Sequence, residues 1–117
     1  MLQNPVIEYK KINEIECVYF TFKNKFTEQN ATDAVKSWNG FLSDKDKKYT
    51  YVWNCKEMSG YDPMARVYWQ KAIKAYKNQI DKIWLISDSK IIITGANLLS
   101  VFTSIDIKAI KSEQDIK

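Results

Sequence analysis

The sequence predicts an α/β domain built on a mixed, mostly parallel sheet that opens with an N-terminal antiparallel hairpin, in the order β-β-α-β-α-β-α-β. Two extended runs stand at the start of the chain, and apolar residues recur at helical spacing in three later segments. A short, continuous apolar run separates two of those segments. Alternating strands and helices favour parallel strands joined by crossover helices.

The opening hairpin is predicted from two runs rich in β-branched and aromatic residues, at 6–12 and 15–22. Only Asn13 and Glu14 separate them. A two-residue polar break between extended runs is typical of a tight turn, although the Asn-Gly pair that favours such turns most strongly is absent. We therefore expect antiparallel pairing at the start of the chain.

The first helix is predicted to begin after Thr27 and to run to about Ser43. Thr27 is a suitable N-cap, and Glu28 places an acid in the first turn, where the helix dipole favours it. Six apolar residues at helical spacing would face the sheet: Ala31, Ala34, Val35, Trp38, Phe41 and Leu42.

A third strand and a second helix are predicted within residues 49–78, joined by a turn at residues 58–61. Large residues alternate along the strand up to Cys55, as on a pleated surface. The carboxylate of Asp62 is expected to cap the helix, and Pro63 suits the first helical position, where no N–H is needed. The apolar stripe of this helix comprises Ala65, Tyr68, Trp69, Ala72, Ile73, Tyr76 and Ile80.

The remaining elements are predicted from three short patterns. The continuous apolar run at 83–86 indicates a central strand that is buried on both faces. Residues 90–103 have both strand-like and helix-like features, and we predict a helix with Gly95 as its weak point. Alternation at 105–109 indicates a last strand, and residues 111–117 are expected to form a frayed polar tail.

Length and composition predict one domain, ordered over about residues 6–111. A chain of 117 residues that is 45% hydrophobic has enough apolar material for one core. No apolar stretch approaches the roughly 20 residues of a membrane span, and the first residues do not resemble a signal peptide. We therefore expect a soluble, cytoplasmic protein with no membrane span.

Several classes of chemistry are disfavoured by what the sequence lacks. Histidine is absent, and Cys17 and Cys55 lie in separate predicted strands, where we expect them to be buried packing residues. We therefore predict no metal site and no cofactor. The 18 basic residues are scattered and include one arginine, which argues against nucleic-acid binding. No base and nucleophile pair, glycine-rich phosphate loop or nucleophile elbow is present, so a non-enzymatic protein is predicted.

The candidate site lies where an open α/β sheet normally binds its ligands, at the carboxyl ends of the strands. This rim would comprise residues 54–62 and 87–90. The predicted start of the second helix favours an anion or a phosphate on Ser59, so Ser59, Gly60, Tyr61 and Asp62 are candidates for a regulatory or partner-binding edge. The alternative is that these residues only turn the chain and cap a helix.

A second candidate surface is the aromatic strand face formed by Tyr49, Tyr51 and Trp53. Three helices could leave part of the sheet uncovered, so this face is a candidate contact for a protein partner, a second copy of the chain or an apolar ligand. The other tryptophans, Trp38, Trp69 and Trp84, lie on apolar stripes or runs and are predicted to pack in the core.

The order of elements and turns resembles small bacterial STAS-domain proteins of the SpoIIAA-like group. The resemblance covers about residues 6–111 and lies in the segments MSGYDPMAR (58–66), IWLISDS (83–89), TGA (94–96) and VFTSI (101–105). It implies the STAS architecture and a non-enzymatic role like that of anti-sigma-factor antagonists, which bind a partner kinase. The group is also likened to CRAL-TRIO domains, which implies the alternative of a carrier for a small apolar or lipid-like ligand.

The resemblance carries over to few individual residues. In the antagonists the phosphorylated serine follows an aspartate at the start of the helix after the third strand. Here that segment reads Ser59-Gly60-Tyr61-Asp62 and contains no Asp-Ser pair. The resemblance therefore marks this segment as the regulatory edge without assigning a phosphorylated serine.

Overall fold

The computed structural model describes residues 3–42, 44 and 46–117, and within them the predicted order of strands and helices is confirmed. Single-turn 3₁₀ helices follow the second helix, at Lys77–Gln79, and the last strand, at Glu113–Asp115. The principal elements are β1 (Val6–Ile12), β2 (Ile15–Phe26), α1 (Glu28–Phe41), β3 (Tyr49–Tyr61), α2 (Pro63–Ala75), β4 (Ile80–Ile86), α3 (Lys90–Thr103) and β5 (Ile107–Ile110).

The five strands form one mixed sheet in the order β1-β2-β3-β4-β5. β1 pairs with β2 in antiparallel fashion, and every other neighbouring pair is parallel, as predicted. Each crossover moves one position in the same direction along the sheet. Because such crossovers share one handedness, they place all three helices on the same face.

The two faces of the sheet carry separate cores. The helix-covered face joins side chains of β2, β3, β4 and β5 to buried residues from α1, α2 and α3. The opposite face holds a smaller cluster with no helical residue in it. β4 contributes to both, since Ile83 and Leu85 face the helices while Trp84 and Ile86 face the other side. The prediction of a central strand buried on both faces is confirmed.

The opening hairpin is confirmed, with pairing that runs from Val6 opposite Thr21 to Ile12 opposite Ile15. Its turn residues Asn13 and Glu14 both adopt left-handed backbone conformations, with φ of 49° and 68°. Two consecutive positive φ angles are the geometry that matches the twist of a hairpin.

Replacing Glu14 by glycine is expected to raise the free energy of unfolding by roughly 0.5–1 kcal/mol. A residue with a Cβ is strained in the left-handed region by about 1–2 kcal/mol, and glycine's larger loss of backbone entropy offsets part of that relief. The Lys11 ammonium and the Glu14 carboxylate form an exposed ion pair, 4.0 Å apart, that contributes little to stability. Urea denaturation measures the change, with Glu16→Gly in β2 as a destabilising control. A lower midpoint for Glu14→Gly would contradict this account.

The predicted cap of α1 is confirmed, and α3 also begins with a side-chain cap, which was not predicted. At α1, the Asn30 N–H donates to Thr27 Oγ1 and the Thr27 N–H donates to Asn30 Oδ1, each at 3.0 Å, which is a capping box. At α3, the Ile92 N–H donates to Ser89 Oγ at 3.4 Å. The predicted end of the first helix, at Ser43, lies outside the described residues, and the helix ends at Phe41.

The predicted turn at residues 58–61 is wrong, because β3 continues through this segment to Tyr61. β2 is also longer than predicted and provides its partner, with Lys25 opposite Gly60 and Phe26 opposite Tyr61. Two irregularities in this pairing lie near Asn24, whose φ is 56°. Pairing with a distant strand thus overrides the local turn preference of Ser-Gly.

The predicted frayed tail at residues 111–117 is also wrong. Ile116 is only 1% exposed and packs on the sheet face that lacks helices. The Asn13 side-chain amide donates to the Ile116 carbonyl at 2.8 Å, and Tyr19 donates its hydroxyl to Glu113 at 3.0 Å. These contacts hold the end of the chain against the sheet.

Candidate functional site

The aromatic face of β3 is covered by the helices, so it is not the open contact surface for a protein partner or a second copy of the chain that was predicted as a candidate. Tyr49, Tyr51 and Trp53 are 8%, 1% and 3% exposed. They belong to the core between the sheet and the helices, where Trp38 donates its indole N–H to the Tyr51 hydroxyl at 3.0 Å. The prediction fails because all three helices lie on this face. Core positions for Trp38, Trp69 and Trp84 are confirmed.

The four residues of the predicted regulatory edge form the end of β3 and the start of α2. Ser59 is exposed, while Gly60, Tyr61 and Asp62 are half-buried. Nothing within 4 Å would meet a Cβ at Gly60, and its φ is not positive, so this position does not require glycine. Gly60 lies opposite Lys25 in the pairing of β2 with β3, whereas Asp62 and Tyr61 each make specific side-chain contacts.

Asp62 does not cap α2 with its side chain, so that prediction is wrong. Its carboxylate instead pairs with the Lys25 ammonium at 2.9 Å and accepts the Glu28 N–H at 3.3 Å. The Glu28 N–H lies in the first turn of α1. Asp62 thus links the starts of two helices that are separated in sequence by a strand.

The pKa of the Asp62 carboxyl is expected to lie below its ordinary value of 3.8. Hydrogen bonding to Lys25 is the main cause, and the Glu28 N–H and the charge of Lys25 act in the same direction. A lowered pKa in the folded state means that this contribution to stability is present above the ordinary pKa and is lost as the pH falls through the folded-state value. Carboxyl NMR titration measures the midpoint.

Two lysine variants distinguish the effect of Lys25 on the Asp62 pKa from a general effect of positive charge on this strand. Lys25→Gln should return the Asp62 midpoint toward 3.8, while Lys23→Gln on the same strand should leave it unchanged. An unchanged midpoint in Lys25→Gln would show that the ion pair does not form in solution.

Tyr61 turns its side chain inward against α3. A Cβ at Gly95 would lie 2.6 Å from the Tyr61 hydroxyl oxygen and 3.1 Å from Cζ, which is closer than real contacts of this kind. The glycine that weakens α3 by propensity therefore permits the ring of Tyr61 to lie on the helix. This close approach forms one side of a cleft.

The cleft lies between the sheet, α2 and α3, and its lining is almost entirely apolar. Its volume is about 50 Å³, and about 430 Å³ when the part that opens to solvent is included. The half-buried residues at its border are Met58, Tyr61 and Arg66. The full lining comprises Phe22, Phe26, Trp53, Cys55, Met58, Tyr61, Arg66, Trp69, Leu85, Ile92, Gly95, Ala96 and Leu99.

Two polar groups are buried at this cleft. The Nε1 atom of Trp53 has no hydrogen-bond partner among the described residues. Cys55 is a free cysteine, and burial raises the pKa of its thiol. A thiol in this state is a poor nucleophile. The predicted role of Cys17 and Cys55 as buried packing residues is confirmed.

The second rim segment, residues 87–90, serves the fold. Ser87 is buried and its hydroxyl oxygen accepts the Ser89 N–H at 3.0 Å, and Ser89 caps α3. Sequence reasoning included Tyr61 and Trp53 in its candidates but missed the parts of the cleft supplied by α3. The only signals in the sequence were Gly95 and the surplus of aromatic residues.

The opposite face of the sheet carries a separate polar network. The Asn54 amide donates to the Tyr19 hydroxyl at 2.9 Å, and that hydroxyl donates to Glu113 at 3.0 Å. Burial, reinforced by Glu113, raises the pKa of Tyr19 to about 12, so its hydroxyl stays protonated at neutral pH. The Lys82 ammonium lies 4.2 Å from the centre of the Trp84 ring. The hydroxyl of Tyr19 thus links the Asn54 amide to the Glu113 carboxylate in one hydrogen-bonded chain.

The described residues contain neither a metal-binding cluster nor a membrane-spanning helix. No cluster of three or more histidine, cysteine, aspartate or glutamate side chains that could hold a metal occurs in the part of the chain that the structure describes. Over the same residues, no helix has the length and apolar character needed to cross a membrane.

A solved structure similar to this one identifies the fold. It is the crystal structure of an uncharacterised protein of the DUF3478 family, with a SpoIIAA-like fold, from Shewanella loihica. The TM-score is 0.79, and the match covers 98% of this chain and 92% of the other. The fold is SpoIIAA-like. The architecture implied by the sequence resemblance is therefore confirmed.

Sequence comparison adds no further relationship. No family model matches the chain, and no curated protein matches its sequence. The identity to the Shewanella protein is 13%, at which the likeness shows the SpoIIAA-like fold alone. Function must therefore be argued from the side chains of this SpoIIAA-like domain.

Proposed function

We propose that this SpoIIAA-like domain is a non-enzymatic carrier that binds a small, largely apolar molecule in the cleft between the sheet, α2 and α3. The observation that carries the proposal is the almost entirely apolar lining of a cleft that opens to solvent. Small-molecule sites are concave and mostly apolar, with few polar groups. This combination favours binding through burial of apolar surface.

The size of the cleft limits the ligand. Its volume of about 50 Å³ is below that of an engineered cavity of roughly 150 Å³ that accepts benzene. The inner part therefore suits a narrow chain better than a ring. Met58 lies at the border and is unbranched, so its side chain can move aside as a longer ligand enters.

The chemistry of the lining supports a carrier in preference to an enzyme. Cys55 is its only nucleophilic thiol, and burial raises the pKa of that thiol. Among the described residues, the lining contains no histidine, aspartate, glutamate or lysine, and apart from the thiol and two indoles its polar side chains are those of Tyr61 and Arg66. The described lining thus offers no acid and base pair to act on a bound molecule.

Native mass spectrometry of freshly purified protein tests this proposal. We expect a bound population heavier than the bare chain, whose extra mass is lost on denaturation and extracts into organic solvent. The protein is then stripped and titrated with heptanone to show that the site refills. Bare protein in the first measurement, together with no saturable binding in the second, would contradict the proposal.

A second candidate function is regulatory protein interaction through the Ser59–Asp62 edge and α2. The SpoIIAA-like fold supports it, and so do Met64 and Tyr68, which are 55% and 40% exposed one turn apart on α2. Exposed apolar side chains next to a polar edge are typical of protein interfaces. The partner would be a regulatory kinase, another protein or a second copy of the chain.

Substitutions at the end of β3, on α2 and on α3 test this second function. Ser59→Ala and the pair Met64→Ser and Tyr68→Ser should abolish cross-linking to a partner in cells. Val101→Ser, at a position that is 74% exposed on α3, is the control and should retain it. If all variants cross-link to the same proteins as the unmodified chain, the interaction proposal is wrong.

A further inference from the structure

The indole N–H of Trp53 is a buried donor without a partner. Trp53 is 3% exposed, and its Nε1 makes no hydrogen bond within residues 3–42, 44 and 46–117. Its nearest aromatic neighbours are Trp69 and Phe22, with ring centres 6.0 and 6.3 Å away. By contrast, the indole N–H of Trp38 in the same core has the Tyr51 hydroxyl at 3.0 Å. Buried donors are almost always paired, so this one needs an explanation.

A water molecule does not suit this position. A buried water normally makes about three hydrogen bonds, and at least two, to polar groups around it. Trp53 lines the cleft and its Nε1 is itself covered, so an acceptor reaches the indole N–H only when neighbouring side chains move aside. Because the lining is almost entirely apolar, a water in that position would lack further partners. The group that fits must offer one acceptor and otherwise be apolar.

We infer that the ligand of this cleft carries a neutral oxygen acceptor, such as the carbonyl of a ketone or ester or the oxygen of an alcohol, which accepts the Trp53 N–H. The inference rests on the proposed carrier function and specifies its ligand. A plain hydrocarbon would leave the donor unpaired. A carboxylate would be drawn to the guanidinium of Arg66 at the half-buried border of the cleft, whereas Trp53 is 3% exposed and its ring neighbours, Phe22 and Trp69, carry no charge.

The test compares heptanone with heptane, which share an apolar chain and differ in the oxygen. Nitrogen–proton correlation spectra of the unmodified protein report the indole N–H directly, and Trp53→Phe identifies its signal by removing it. We expect heptanone to move this signal downfield and saturably, and heptane to perturb the cleft without that downfield shift. Trp53→Phe changes the packing of both probes but removes a hydrogen bond from heptanone alone, so it should weaken heptanone binding about 2- to 10-fold relative to heptane binding.

Trp84 provides a matched control for the substitution of Trp53. Trp84→Phe makes the same chemical change on the opposite face of the sheet and should alter neither affinity. If heptanone shifts signals of the cleft but not the Trp53 N–H, the inference is overturned and the carrier function stands. If neither probe perturbs the cleft, the carrier function fails and the inference fails with it. If Trp53→Phe does not fold, the Trp53 signal is assigned from through-space contacts with Phe22 and Trp69, and the spectra of the unmodified protein still decide the matter.

Discussion

Replacing Trp38 by alanine is expected to lower the free energy of unfolding by about 3–5 kcal/mol, the usual cost of removing a large buried aromatic side chain. Trp38 is fully buried, and its ring centre lies 5.6 Å from that of Phe20 and 4.2 Å from that of Tyr76. The substitution also leaves the buried Tyr51 hydroxyl without its donor. Domains are typically stable by about 5–15 kcal/mol, so much of the fold's stability depends on this residue.

Two phenylalanine variants separate the hydrogen bond from the packing. Trp38→Phe deletes an indole N–H that has a partner, whereas Trp53→Phe deletes one that has none. In the ligand-free protein, urea denaturation should therefore show a greater loss of stability for Trp38→Phe. Equal losses would show that the Trp38–Tyr51 hydrogen bond contributes nothing measurable.

Replacing Ala96 by leucine is expected to weaken ligand binding more than tenfold while changing stability little. Ala96 lies on α3, is 4% exposed and lines the cleft, so the added carbons would occupy the space that the ligand needs. Adding carbons to a core without free space costs about 1–3 kcal/mol, but here the cleft accommodates them. Titration with heptanone and urea denaturation measure the two effects.

Ala34→Leu is the matched control for this variant. Ala34 is buried at 1% exposure on α1 and does not line the cleft, so the same added carbons should destabilise the protein and leave the cleft intact. The interpretation of the cleft would be wrong if Ala96→Leu destabilised the protein as much as Ala34→Leu, or if it bound heptanone as well as the unmodified chain does.

Elements whose signals are local were predicted correctly. The hairpin follows from Asn13 and Glu14 between two extended runs, and the start of α1 follows from Thr27. The last helix was predicted with its observed bounds, Lys90–Thr103, because its apolar stripe is long. In each case the residues that decide the structure lie within a few positions of one another.

The errors occur where a distant segment decides the structure. Ser59 and Gly60 favour a turn locally, but the second half of β2 pairs with them and keeps them extended. Asp62 is a good cap for its own helix, yet Lys25 and the Glu28 N–H bind its carboxylate instead. Neither partner is visible from the residues that surround Asp62 in sequence.

The cleft itself was beyond sequence reasoning for the same reason. Trp53 is covered because the strand order places every helix on one face of the sheet. From the sequence alone, Gly95 only lowers the helix propensity of α3. In the structure, it leaves the space that the Tyr61 ring occupies against that helix. Ile116 similarly lies in a polar segment of the sequence, yet it packs on the sheet face that lacks helices.

The central claim is that a small apolar molecule occupies the cleft between the sheet, α2 and α3. The most direct measurement is an NMR titration of methyl groups with heptanone. The account predicts saturable shifts at Met58, Leu85, Ile92 and Leu99, which line the cleft, and no shifts at Ile110 and Ile116 on the opposite face. Absence of saturable shifts at the cleft, or equal shifts on both faces, would contradict it.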